Sequence, residues 1–181
     1  GIRDAQESRG LGDVYKRQVL LSHGWAVPVI RANSPNAEVG ITLNFEWIDP
    51  ACRSAADARM ARESDGRFNR WFLDPLYGRH YPADIVAGYA AALPNGLEFV
   101  LPGDLDAIAT PTDFLGLNYY SRRVARDEEA ADNQPQQLFA QRPRTERDWE
   151  ESPEGKYDFS SRSYFANAAK EFPLSCSSRA S

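Results

Sequence analysis

Two short stretches in which apolar residues alternate with small or polar ones, residues 39–45 and 113–120, stand far apart in the chain with helical patterns between them. In the first, Val39, Ile41, Leu43 and Phe45 alternate with Gly40, Thr42 and Asn44, which is a strand by its period and its β-branched content. In the second, an extended backbone puts Phe114, Gly116, Asn118 and Tyr120 on one side and Leu115, Leu117 and Tyr119 on the other. Antiparallel neighbours need only a tight turn, whereas a long helical crossover between strands implies that they pair in parallel. The pattern is therefore α/β. In such folds the aliphatic side of a parallel strand packs on helices and its C-terminal tip opens into a ligand site, and here that tip carries an amide, Asn118, and a phenol, Tyr120.

The segments around these strands fill in the pattern. Leu20, Leu21, Trp25, Val27 and Ile30 form an apolar helical stripe over residues 19–32, with Pro28 an awkward guest, before the turn-prone residues 33–36. Residues 54–72 read as a long charged helix with an aromatic end, Phe68, Trp71 and Phe72, which Asp74-Pro75 is expected to stop or turn. A loop at 78–82 leads to a helix carrying Ile85, Val86, Tyr89 and Leu93, and residues 105–109 suggest one short helical turn. Residues 122–148 are polar and unperiodic, the mark of a functional excursion or of irregular hairpins, and residues 153–171 are expected to be helical in part.

A chain with 42% hydrophobic and 26% charged residues is globular rather than a disordered tail. Its net charge of −5, with both signs well mixed, argues against a nucleic-acid partner or an anionic membrane surface. Cys52, Cys176, His23 and His80 lack the spacing of a metal site, and two distant cysteines do not make a disulfide framework. With no apolar run of membrane-spanning length and no signal-like start, the chain reads as soluble and cytoplasmic. Residues 1–18 carry no apolar periodicity and give way abruptly to an apolar segment at Val19. They read as a disordered, non-native linker resembling a translated adapter.

Taken together, HGWAVPVIR, VGITLN, NRWFLDPLYGRHYP, LPGDLDAIATPTDFLGLNYYSR and WEESPEG resemble, in order, an internal piece of a glycoside hydrolase family 1 enzyme of the β-glucosidase type. The resemblance covers residues 19–173, and FLDPLYGRHYP with TDFLGLNYYSR is its most specific part. It implies a partial (β/α)8 barrel, about strands 5 and 6 with their helices, from an enzyme that cleaves β-glucosides with retention and needs no metal or cofactor. Such enzymes hold two glutamates roughly 5 Å apart, one as nucleophile and one as acid/base. The family carries these in Asn-Glu-Pro and Thr-Glu-Asn-Gly motifs, and neither occurs in this chain. In the near match at 42–46, Phe45 separates Asn44 from Glu46 and no proline follows, so Glu46 is not expected to be the catalytic acid. Residues 174–181 depart from the family as well, where an apolar strand bearing the nucleophile would follow.

The resemblance places Asn118 and Tyr120 on the glycone subsite, with the Tyr120 hydroxyl supporting the nucleophile carboxylate. It makes Trp149 an aromatic wall for the leaving-group side, since sugars stack their C–H edges on such faces. Asn44 is expected to support the site indirectly. His23, with no nucleophile or carboxylate at useful spacing, reads as a core histidine, and Trp71, Phe72 and Tyr77 as core aromatics. The expectation is a fragment that is inactive by itself and marginally stable, because a full barrel takes about 250 residues. The competing reading is a non-catalytic carbohydrate-binding or interaction module that uses Asn118, Tyr120 and Trp149 without glutamates.

Overall fold

The computed structural model describes residues 2–92 and 100–127. Helix α1 (Ile2–Asn33) is followed by strand β1 (Gly40–Pro50) and helix α2 (Ala55–Asp65). The helical path then runs on through a π-helical turn (Gly66–Arg70), α3 (Trp71–Leu73) and a second π-helical turn (Asp74–Gly78). Helices α4 (Ala83–Ala92) and α5 (Asp104–Ile108) precede strand β2 (Phe114–Ala125). The two strands are hydrogen-bonded neighbours in one parallel sheet, with Ile41 opposite Leu115, Leu43 opposite Leu117 and Asn44 opposite Asn118. The parallel pairing read from the long crossover is thus what the chain adopts.

Helix α1 docks through one face, and its residues explain why. Leu20, Leu21 and Val27 are buried, while Trp25 is 62% exposed and Ile30 41% exposed, so the apolar stripe expected through Trp25 and Ile30 is rotated. Its centre is Gly24, where a Cβ would collide with the carbonyl oxygen of Ala107, so only glycine lets α1 approach α5 so closely. Arg17 and Arg31, each two turns from Gly24 and so on the same helix face, flank this seam. Arg17 Nε lies 2.6 Å from Asp104 Oδ2, and Arg31 donates to both Asp113 carboxylate oxygens and to the Pro111 carbonyl. α1 extends N-terminally through residues 2–18 from its docked segment, since lengthening a helix costs less than nucleating one.

The core lies between these helices and β1. Leu20, Leu21, Leu76 and Ile108 pack with Ile41 and Leu43, and Phe45 and Leu73 pack with Trp47 and Leu115. Trp71, Tyr81 and Ile85 form a further cluster that joins α3 to α4. Trp71 is fully buried and Phe72 and Tyr77 pack partly buried against these clusters, as read from sequence. Leu117, expected on the covered side, is 44% exposed; the described helices stack over β1 and reach β2 at Leu115.

Asp74-Pro75 does not stop the helix. Asp74 keeps right-handed helical angles, Pro75 enters the first turn of the second π-helical segment, and the path ends at Arg79, whose φ of 54° is left-handed. Wider i→i+5 turns accommodate a residue that lacks an N–H better than a regular α-turn does. β2 likewise continues to Ala125, beyond the expected end near Tyr120. Arg122 is kept in the strand because its side chain, 1% exposed, pairs with Asp49 at 2.8 Å.

A buried ionic cluster ties these parts together. Arg70 donates from Nε to Asp65 and, in a fork, to both carboxylate oxygens of Asp84 at 2.7 Å each. Arg70 holds the Asp84 carboxyl down at about 2, with Arg62 adding to the effect. A carboxyl whose folded pKa is depressed gives stability that is complete above its unfolded pKa and is lost as pH falls through the folded value. Asp57, Asp104 and Asp113 are lowered too, by backbone or arginine hydrogen bonds, and act with the same sign. Asp74, raised by burial, opposes them. The melting temperature is therefore expected to fall steeply between about pH 4 and pH 2, as followed by circular dichroism; a flat profile there would contradict the ion pairs.

Candidate functional site

The face of the sheet turned away from the helices is built by matching large against small. Gly40 faces Phe114, and a Cβ on Gly40 would sit 2.5–2.6 Å from the Phe114 ring atoms. Gly116 faces Thr42, whose Oγ1 would lie 2.4 Å from an added Cβ. One step further along both strands, Asn44 and Asn118 are in register, and Asn118 Nδ2 donates to Asn44 Oδ1 at 3.0 Å. The two amides thus fix each other's orientation and still present further donors and acceptors to solvent, since both residues are exposed. Tyr120 follows two residues later and is 65% exposed, so an aromatic ring and a phenol stand beside the paired amides. The structure therefore brings Asn44 and Asn118 together, with Tyr120 next along the strand. Trp149 lies outside the described residues.

Beyond Tyr119 the ladder shifts. Phe45 pairs with Tyr119 but Trp47 pairs with Arg122, so one residue of β1, Glu46, stands opposite two of β2, Tyr120 and Ser121. Such bulges re-aim side chains, and they concentrate at rims and next to active sites. Glu46 is engaged elsewhere: its Oε2 lies 2.7 Å from Arg123 Nε, and the Arg123 guanidinium lies 5.5 Å from the centre of the Phe68 ring. The Glu46 main chain is held from behind by Asn69, whose Oδ1 accepts from the Glu46 N–H at 3.2 Å while Nδ2 donates to the Glu46 carbonyl at 2.8 Å.

Asn69 and Arg123 escaped the sequence reading. For Asn69 a signal existed in its i+4 spacing from Asp65, to which Nδ2 also donates at 2.8 Å. His23 is half-buried, and burial pushes its imidazole pKa down, but it is not the satisfied core histidine expected from sequence. Its Nε2 has no hydrogen-bond partner among the described residues. A cavity of about 260 Å³ between Tyr77, Arg79 and Thr112 lies toward the N-terminal end of β2, away from Asn118 and Tyr120. In chemical terms the described face can bind and orient hydroxyl groups through neutral amides and a phenol, while the carboxylate near it, Glu46, is paired with a cation.

No helix among the described residues is long and apolar enough to cross a membrane. The chain is 32% identical over 162 residues to β-glucosidase A of Acetivibrio thermocellus, a match that covers 87% of this chain and 35% of that protein. Its fold matches the crystal structure of the AHE enzyme from Alicyclobacillus herbarius with a TM-score of 0.69 at 38% identity, over 84% of this chain and 33% of the other. It matches a β-glucosidase from Exiguobacterium marinum with a TM-score of 0.67 at 31% identity, over 79% and 32% respectively. The chain spans about a third of the length of these relatives, and it shows an α/β part of their barrel, a parallel pair of strands without closure. The family model for glycosyl hydrolase family 1 matches residues 11–164, and with strands, register and relatives in agreement the chain belongs to that family.

Proposed function

We propose that the chain forms one wall of the sugar pocket of a retaining β-glucosidase, with Asn118 and Tyr120 facing the glycone and Trp149 serving the leaving-group side. Residues 19–173 are the part that carries this role, and residues 1–18 and 174–181 lie outside it. The observation that supports the reading most is the Asn44–Asn118 amide pair, in register on the uncovered face of two parallel strands, with Tyr120 two residues further on. Amides and phenols suit sugar hydroxyls, which both donate and accept, and the C-terminal ends of barrel strands are where such enzymes keep their chemistry. In the working enzyme the Tyr120 hydroxyl donates to the nucleophile carboxylate, which favours its charged form, and the Asn118 amide serves the hydroxyl beside the anomeric carbon.

Cleavage with retention needs two carboxyl groups on opposite roles, and the chain carries neither glutamate motif. The chain alone is accordingly expected to hydrolyse no aryl β-glucoside above the buffer rate in a release assay. Turnover that survives purification to homogeneity would overturn this half of the reading. A melting temperature raised by glucose in a chain with no turnover would favour a binding module instead.

A further inference from the structure

We propose that Asn69 is a positioning residue for Tyr120, acting through the bulge between β1 and β2; this rests on the reading of Tyr120 as a pocket-wall phenol. A carboxamide has the same donor and acceptor edge as a peptide group. Asn69 presents that edge to Glu46 and takes both of its main-chain groups, in the manner of a neighbouring strand. It does so at the single position where the ladder loses its one-to-one register, opposite Tyr120 and Ser121.

Asn69 can do this reliably because nothing about it is free to turn. It is 2% exposed, and its second Nδ2 hydrogen goes to Asp65 Oδ1, which fixes the amide against a flip. Asp65 is in turn held by Arg70 Nε at 3.0 Å, and Arg70 by Asp84. On the far side of the bulge, Arg123 reaches back to the Glu46 carboxylate. Glu46 is therefore gripped at its N–H, its carbonyl and its side chain, and the extra residue must be absorbed on β2. That places the bulge at Tyr120–Ser121 and sets the direction in which the Tyr120 ring leaves the strand.

Hydrogen exchange read by mass spectrometry, with a ring-fluorinated tyrosine at position 120, tests this in the full chain. In the unmodified chain the Glu46 amide is expected to exchange at least about ten times more slowly than an unstructured amide. Asn69→Leu keeps the number and branching of the side-chain heavy atoms and removes both hydrogen-bonding groups. The segments carrying Glu46 and Tyr120 should then exchange about ten-fold faster and the fluorine resonance should move, while the segment around Ile108 keeps its protection. Asn69→Asp, which keeps the acceptor and loses the donor, should shift the resonance in the same direction by less. A loss of protection spread evenly along the chain would make Asn69 a general stabiliser and overturn the proposal. So would an unmoved resonance in both variants, or an unprotected Glu46 amide at the outset. None of these readouts depends on glycoside hydrolysis, so a coupled shift in a protein shown to have no sugar site would retire the role of Tyr120 and leave the Asn69 coupling standing.

Discussion

Arg70→Met is expected to lower the unfolding free energy by about 3–5 kcal/mol, the cost of leaving buried charges without their partner. The Arg70 side chain is 6% exposed and that of Asp65 8% exposed, so water cannot take over what the guanidinium supplied. Asp84 would keep Arg62 at 2.8 Å, and Asp65 would keep the hydrogen bond from the Asn69 amide but lose its guanidinium. Domains of this size are stable by about 5–15 kcal/mol, so the loss removes much of the margin. A urea titration of the variant beside the parent chain checks it. Arg67→Ala, which breaks an exposed i,i+4 pair with Glu63, should by contrast cost less than about 0.5 kcal/mol. Equal effects from the two substitutions would mean that the buried cluster carries no special weight. Replacing Arg70, Asp65 and Asp84 together by apolar residues of similar volume should recover much of the loss, because the desolvation cost disappears with the charges.

The second large effect concerns chemistry. In a complete barrel containing this chain, Tyr120→Phe is expected to lower kcat by about 10²–10³-fold with little change in KM, the size seen when one preorganised donor is removed, here a donor to the carboxylate whose charge returns as the glycosyl-enzyme ester is cleaved. A carboxylate that loses a donated hydrogen bond is less stable in its charged form, so its pKa rises. The acid limb of the kcat/KM profile should therefore move to higher pH, and steady-state kinetics across pH would show it. A variant with raised KM, unchanged kcat and an unmoved acid limb would assign Tyr120 to ground-state binding alone.

The parts of the fold that are written locally were legible in the sequence. The two-residue period of β1 and β2, the long connection between them and the spacing of Leu20, Leu21 and Val27 each follow from backbone geometry and needed no partner to be recognised. What depended on tertiary contacts was not legible. Nothing around Trp25 indicates that it faces solvent until Gly24 is seen against the Ala107 carbonyl. Asp74-Pro75 carries a strong stop signal, which the π-helical geometry around it overrides. Extension of β2 past Tyr120 rests on Arg122 finding Asp49, a pairing 73 residues apart in the chain. The candidate site divides in the same way: Asn118 and Tyr120 stand out as polar residues closing an apolar strand, while Asn69 owes its place to a hydrogen bond across 23 residues.

Asp57 shows how such long-range contacts shape the mouth of the fold. Its carboxylate, fully buried, accepts the N–H of Cys52 at 2.9 Å and the N–H of Asp127 at 2.8 Å, the second residue beyond the end of each strand. One side chain thus serves as a common mooring for both departing segments. The turn that leads from β1 into α2 and the exit of β2 are thereby held to one carboxylate inside α2, so the helix, the turn and the end of the second strand move as one piece.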